Sequence, residues 1–152
     1  GIGSALIAIV GAYVGAGQRA RAIEVAWRGT IANVIIVGTI GLALGLNPSW
    51  WCNLSGGDQV AAHCGSTLEI LGPFYGFFAA GLGLYFASKG LNTLLWPVIG
   101  SLLRALIVAS GLWWMTFDWF ATPDAILWLV AGAMVFYGVC VALGLRFQAW
   151  RT

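Results

Sequence analysis

Long apolar stretches with very few charged residues follow one another along this sequence and restrict the class of fold that it can form. The third of these stretches has no charged residue between Glu69 and Lys89. Charged side chains make up 8% of the 152 residues, and the mean hydropathy is +0.91. Soluble domains carry about 25% charged residues, so a soluble fold of this size could not cover its surface. The sequence therefore predicts an all-α integral membrane protein, because a helix satisfies its own backbone hydrogen bonds in lipid.

Five apolar segments approach the length of about 20 residues that a helix needs to cross a hydrocarbon core of roughly 30 Å. Asn47-Pro48 ends the second segment, and Pro123-Asp124 is a typical helix start for the fifth. Since the first segment is short and begins with Gly1 inside an apolar run, we expect the chain to be a piece of a longer protein. The predicted spans are residues 1–16, 29–46, 66–88, 92–117 and 125–145.

The basic residues predict one orientation in the membrane. The loops that follow the second and fourth spans contain no Lys or Arg, whereas those after the first and third spans, and the C-terminal tail, contain several. The positive-inside rule therefore predicts that loops 17–28 and 89–92 and the C-terminus are cytoplasmic, and that loops 47–65 and 118–124 are external. We expect a multi-pass protein of the cell (inner or plasma) membrane. The basic residues on the predicted inner side are Arg19, Arg21, Arg28, Lys89, Arg146 and Arg151.

Two local patterns add detail to this topology. Glu24 and Arg28 are spaced i,i+4 in the favourable order, which predicts a short surface helix within loop 17–28. Three pairs of glycines at GxxxG spacing predict places where helices approach closely. These pairs are Gly11 with Gly15, Gly41 with Gly45, and Gly72 with Gly76.

The reactive side chains do not form a catalytic or cofactor-binding pattern. The chain has one His and no paired carboxylates, so we predict neither an enzyme nor a bound cofactor. A net charge of +2 without a basic run also argues against nucleic-acid binding. His63 and Asp58 lie near Cys52 and Cys64, but their spacing matches no common zinc pattern, and no metal site is predicted. In an oxidising outer compartment Cys52 and Cys64 can form a disulfide or remain free thiols, and the sequence leaves both open.

Arg104 is the one charge placed near the middle of a predicted span. An arginine there costs about 2.5–3.5 kcal/mol on insertion scales, so it should face a wet cavity, a carbonyl or a partner such as Asn33. The alternative is a span that begins at Pro97, with Arg104 reaching back to the inner interface. The acidic residues all lie in loops or at span ends, which leaves Glu69 as the nearest candidate for cation coupling; a plain interfacial carboxylate is the alternative.

Two stretches carry a resemblance to a known family. "GIGSALIAIVGAYVGAGQRARA" (1–22) resembles a helix and loop of the multidrug and toxic compound extrusion (MATE) family. "GPFYGFFAAGLGLYFASKGLNTLLWPVIGSLLRAL" (72–106) resembles two consecutive helices of that family's second half. The resemblance implies a twelve-helix fold of two six-helix bundles, of which this chain is similar to the last five helices. Many members carry Gln where Tyr13 stands, and some carry an acid on the helix that here contains Phe78.

The implied activity is efflux of drugs and organic cations in exchange for H⁺ or Na⁺, by alternating access. Its implied partners are the lipid bilayer, lipophilic cationic small molecules, the coupling ion and the missing N-terminal part of the same chain. Aromatic faces suit lipophilic cations, although such side chains also serve packing or face lipid. The alternatives are a lipid-linked sugar flippase of the same superfamily and a non-transporting assembly subunit. The candidate cavity residues are Tyr13, Asn33, Tyr75, Phe78, Tyr85 and Arg104.

Overall fold

The structure is a computed structural model that describes residues 1–55, 58–116 and 122–148, and every regular element within these ranges is helical. Four helical segments there are long and apolar enough to cross a membrane. The first helix has only 14 residues, so the count of five spans remains a prediction. The helical membrane class predicted from the sequence is confirmed. The helices are α1 (Ile2–Gly15), α2 (Arg19–Leu46), α3 (Pro48–Ser55), α4 (Asp58–Leu71), α5 (Tyr75–Leu91), α6 (Leu95–Met115) and α7 (Pro123–Gln148).

The Arg-rich segment differs from the prediction, because it is not a loop with its own surface helix. Helix α2 begins at Arg19 and runs for 28 residues without interruption. The turn before it is tight and uses Gly17, whose φ of 73° is readily reached only without a side chain. Glu24 and Arg28 do form the expected ion pair, at 2.6 Å on an exposed face of the helix. The segment 19–28 is therefore the polar first part of the second span.

The third predicted span is also not one regular helix. A 3₁₀ turn at Gly72–Phe74 separates α4 from α5. Pro73 explains the break, because proline lacks an N–H and its ring clashes with the preceding turn. The predicted outer loop 47–65 contains α3 and the beginning of α4. Pro48 is the first residue of α3 and helps to initiate that helix.

The connection between α5 and α6 lies later than the predicted loop 89–92, because residues 89–91 still belong to α5. Helix α5 ends at Leu91, and Asn92 follows in the left-handed conformation with φ 56°. The backbone N–H of Thr93 donates to the carbonyl of Ser88 at 3.0 Å, which closes the helix end. Most of predicted loop 118–124 and the tail beyond residue 148 lie outside the described residues. The side of the membrane assigned to each loop stays a prediction.

Helix α5 lies at the centre of the packing, in contact with α1, α2 and α7, whereas α6 packs mainly on α7. Two clusters of buried side chains form the core, one where α1, α2 and α5 meet and one between α5 and α7. The outer faces of α2 and α6 expose many large apolar residues, as expected for helices that face lipid. The first cluster contains Leu6, Val10, Ala22, Ala26 and Ala87, and the second contains Leu84, Tyr137, Val141 and Leu145.

Glycines bring α2 and the start of α5 into backbone contact. A Cβ atom added to Gly41 would lie 2.5 Å from the carbonyl oxygen of Gly72, and one added to Gly72 would lie 2.6 Å from that of Gly41. Close approach is thus confirmed for the second and third predicted pairs. It is wrong for Gly11 and Gly15, where an added Cβ would meet no atom within 4 Å among the described residues.

Candidate functional site

Arg104 lies on the inward face of α6. Pro97 and Gly100 are the buried residues of this helix, and Arg104 lies on the same face, seven residues after Pro97 and four after Gly100. A Cβ at Gly100 would lie 2.9 Å from a methyl carbon of Val141, so this face of α6 is pressed against α7. Arg104 is half-buried and points towards α5 and α7.

The guanidinium group of Arg104 lies over two aromatic rings. Its Cζ atom is 5.3 Å from the ring centroid of Phe78 on α5 and 5.5 Å from that of Tyr137 on α7. The two rings are 6.3 Å apart and tilted by 42°. Both distances fall within about 6 Å, the range in which a cation is attracted to the face of a ring. The guanidinium group is therefore held between α5 and α7 by the faces of the two rings.

Glycines position the ring of Tyr137. A Cβ at Gly81 on α5 would lie 2.4 Å from its ring carbons, and one at Gly100 on α6 would lie 3.6 Å from them. Any larger residue at position 81 would push the ring away from α5. With 4% of its surface exposed, Tyr137 is a buried aromatic residue whose place depends on the absence of neighbouring side chains.

Tyr137 was not among the residues predicted from the sequence. It lies on the buried face of α7 between Ala133 and Val141, which are spaced four residues to either side. A hydroxyl-bearing ring on a helix face otherwise made of small apolar residues is a weak signal that was available in the sequence. Its contact with Arg104 could not be predicted from the sequence, because that prediction requires knowing which helices are neighbours.

A groove with a volume of about 550 Å³ opens beside Arg104, between α5, α6 and α7. Its described lining is aliphatic apart from the ring of Phe78 and the guanidinium group, and among these described residues Arg104 alone is charged. Such a surface presents one cationic end and an extended apolar wall. The lining residues are Phe78, Arg104, Ala105, Val108, Ala109, Leu112, Val130, Ala133 and Met134.

No carboxylate within the described ranges lies at ion-pairing distance from Arg104. Glu24 pairs instead with Arg28, far from Arg104 along the sequence and on an exposed surface. Glu69 is exposed on α4, and Asp124 is exposed in the first turn of α7. The positive charge of the groove is therefore balanced only by the ring faces in this part of the protein.

The other predicted cavity residues do not join this groove. Asn33, proposed as a partner for Arg104, donates from Nδ2 to the carbonyl oxygen of Ala79 at 2.9 Å and so connects α2 to α5. It also borders a separate cavity of about 390 Å³ beside the start of α1. Of the six predicted residues, Phe78 and Arg104 alone come together.

The three predicted tyrosines are dispersed. Tyr13 packs against the cluster shared by α1, α2 and α5. Tyr75 lies against Gly41 on the α2 side of α5, where an added Cβ would be 2.8 Å from the Cβ of the tyrosine. The Lys89 ammonium group lies 4.7 Å above the ring of Tyr85, near the end of α5. Each has a packing role that keeps it out of the groove.

Cys52 and Cys64 lie together between α3 and α4. Their sulfur atoms are 2.06 Å apart, a bonded distance, and their Cα atoms are 5.9 Å apart. The side chains of Asp58 and His63 lie outside the described residues. The pair connects the two short helices of the predicted outer segment.

Comparison with known proteins assigns the family. The family model described as MatE matches residues 1–114, which cover α1 to α6 and include Arg104 and Phe78. No curated protein matches the chain. No solved structure matches it either. The match covers 114 of 152 residues, well over half of the sequence. The chain therefore belongs to the MatE family of membrane transporters.

Proposed function

We propose that this chain is part of an exporter that moves amphipathic organic molecules out of the cell by alternating access, in exchange for H⁺ or Na⁺. The observation that carries the proposal is the groove of about 550 Å³ between α5, α6 and α7, in a chain of a transporter family. Its volume falls within the roughly 300–1,000 Å³ of small-molecule sites. The site lies near the middle of α6, as expected for a substrate site near the bilayer midplane.

Lipophilic organic cations are the substrate class to test first. The rings of Phe78 and Tyr137 already accept one organic cation, the guanidinium group of Arg104. Cation–π attraction of this kind also suits a delocalised cation that arrives from the membrane. Such a ligand would have to share the rings with Arg104 or displace it.

Coupling to a cation gradient requires an ionisable group that changes its occupancy during transport. Within the described ranges Glu69 remains the candidate, since it lies near the junction of α4 and the 3₁₀ turn. Its exposure fits an interfacial carboxylate equally well. We propose that the main coupling carboxylate belongs to another part of the parent protein.

Proteoliposomes that contain the full-length transporter test the proposed function. An imposed H⁺ or Na⁺ gradient should drive accumulation of tetraphenylphosphonium, and collapse of the gradient should abolish it. Glu69→Gln should leave at least half of this transport if the coupling carboxylate is elsewhere. Tetraphenylphosphonium uptake that does not depend on either gradient would contradict antiport.

A flippase for a lipid-linked anion is the second candidate. Arg104 favours it, because this cation in the groove, which pairs with no carboxylate that the structure describes, would attract a phosphate group. Gradient-independent translocation of a fluorescent anionic lipid, without transport of tetraphenylphosphonium, would support the flippase over the antiporter.

A further inference from the structure

We propose that the groove between α5, α6 and α7 binds the anionic group of an amphipathic ligand, a carboxylate or a phosphate, and that Arg104 is the residue that binds it. This inference rests on the proposed function only for the transport of the bound ligand. Neither the family match nor the predicted cation specificity assigns such a site.

The positive charge of the groove favours an anionic ligand. Among the described residues of its lining only Arg104 is charged, and no carboxylate whose side chain the structure describes is close enough to neutralise it. A cation withdrawn from water is costly until an opposite charge or hydrogen-bond acceptors replace the water. While Arg104 occupies the ring faces, its charge attracts an anion, and a second cation would have to overcome the repulsion of the guanidinium group or displace it from the rings.

The hydrogen-bond donors of Arg104 also favour a carboxylate or a phosphate. The faces of Phe78 and Tyr137 attract the charge, but they do not replace the oxygen acceptors that a guanidinium group normally finds. A guanidinium group has five N–H donors in a planar fork that matches a carboxylate or phosphate with two parallel hydrogen bonds. The rings thus hold the arginine in place, and an anion completes its coordination.

The shape of the groove specifies the rest of the ligand. Beyond Arg104 the wall is aliphatic, formed by Val108, Ala109 and Leu112 of α6 and by Val130 and Met134 of α7. An apolar body would bury hydrophobic surface against this wall while its anionic end meets the guanidinium group. A small inorganic anion lacks that body, and an uncharged hydrocarbon lacks the anionic end.

Two probes of equal shape and opposite charge test the proposal. Radiolabelled 2-naphthoate and 2-naphthylmethylammonium are bound to the full-length transporter in phosphatidylcholine nanodiscs, and affinity is measured by scintillation proximity. The wild type should bind naphthoate more tightly than the ammonium probe. Arg104→Gln should weaken naphthoate binding about ten- to a hundredfold, the usual effect of losing charge-assisted hydrogen bonds. Arg104→Lys keeps the charge without the fork, so its loss should be smaller.

Two further variants separate binding from folding. Arg146→Gln makes the same chemical change at an exposed position in the last turn of α7 and should leave naphthoate binding unchanged. Ala109→Phe keeps Arg104 but fills the groove, so it should lower naphthoate affinity while the protein remains monodisperse. If Arg104→Gln binds naphthoate normally, or if the wild type prefers the ammonium probe, the proposal is wrong.

The source of the anion is settled by lipid composition. If phosphatidylglycerol added to the nanodiscs displaces naphthoate in the wild type, a lipid phosphate uses the site. If naphthoate binding is unaffected, the site takes a soluble carboxylate. Arg104-dependent binding without gradient-driven transport would refute the exporter and leave the anion site intact. If gradients drive tetraphenylphosphonium transport but Arg104→Gln binds naphthoate normally, the exporter proposal stands and the anion site is refuted.

Discussion

The two sides of α5 pack in opposite ways. Towards α2, Gly72 and Gly41 bring the backbones together, and a Cβ atom on either would lie within 2.6 Å of the opposing carbonyl oxygen. Towards α6 a groove of about 550 Å³ remains, lined by Phe78 of α5, Arg104 of α6 and Met134 of α7. The α2 side of the helix is thus closed by glycines, whereas the α6 side borders an open groove.

This difference suggests a division of roles. In lipid, helices gain little from hydrophobic burial against each other, so close backbone contact and van der Waals packing hold them together. The α2–α5 contact is therefore expected to move as one unit. The groove, with its isolated cation, is expected to respond to ligands.

The largest effect should come from widening the sealed face. Gly41→Leu places a side chain where a single Cβ already meets the carbonyl oxygen of Gly72, and it should cost about 3 kcal/mol or more of unfolding free energy. Gly38→Ala is the matched control on the same helix, because its Cβ would lie 3.5 Å from the Cα of Gly76. That variant should be neutral or gain up to about 1 kcal/mol from the helix preference of alanine. Unfolding in mixed micelles measures both, and equal stability of the two variants would show that the close contact is not made.

A smaller effect should follow from removing a ring of the groove. Tyr137→Leu deletes one face from the Arg104 site and leaves a partial void, so we expect a loss of about 1–3 kcal/mol. Tyr137→Phe keeps the ring and should lose less than about 1 kcal/mol. The same unfolding assay compares them. A hydroxyl deletion as costly as the ring deletion would mean that the ring does not support the cation.

The smallest effect should come from the polar contact of the sealed face. Asn33→Leu removes the hydrogen bond to the Ala79 carbonyl, and interhelical hydrogen bonds in membranes average about 0.6 kcal/mol. Asn33→Asp removes the donor with little change of size and provides the control. Naphthoate affinity should stay unchanged in Asn33→Leu, since Asn33 does not line the groove. If Asn33→Leu weakened naphthoate binding as much as Arg104→Gln does, ligand binding in the groove would depend on the α2–α5 contact, against this prediction.

The helical membrane class could be predicted from the sequence, because a chain with so few charged residues must be surrounded by lipid and not by water. Helix ends were less accessible where polar residues continue a helix beyond the apolar run. Arg19, Arg21 and Glu24 interrupt the apolar sequence, yet Arg and Glu are good helix formers, so α2 includes them. The charged residues thus show where the apolar run begins, but they do not show where the helix begins.

The groove was only partly accessible from the sequence. The position of Arg104 within its span singled it out, and Phe78 was selected with it. Tyr85 lies seven residues beyond Phe78 on a similar face of α5, but about 10 Å further along the axis. Tyr75 points to α2 instead. Tyr137 was missed because the neighbours of α7 follow from packing between helices, which periodicity within one helix does not encode.

The most direct test of the account compares thiol labelling on the two faces of α5. Val108→Cys in the groove and Ala79→Cys at the sealed face are each made in full-length protein with Cys140 replaced by Ser. The account predicts that an anionic methanethiosulfonate reagent modifies Val108→Cys faster than its cationic counterpart, and that neither modifies Ala79→Cys. Equal labelling at the two positions, or faster reaction of the cationic reagent at position 108, would contradict it.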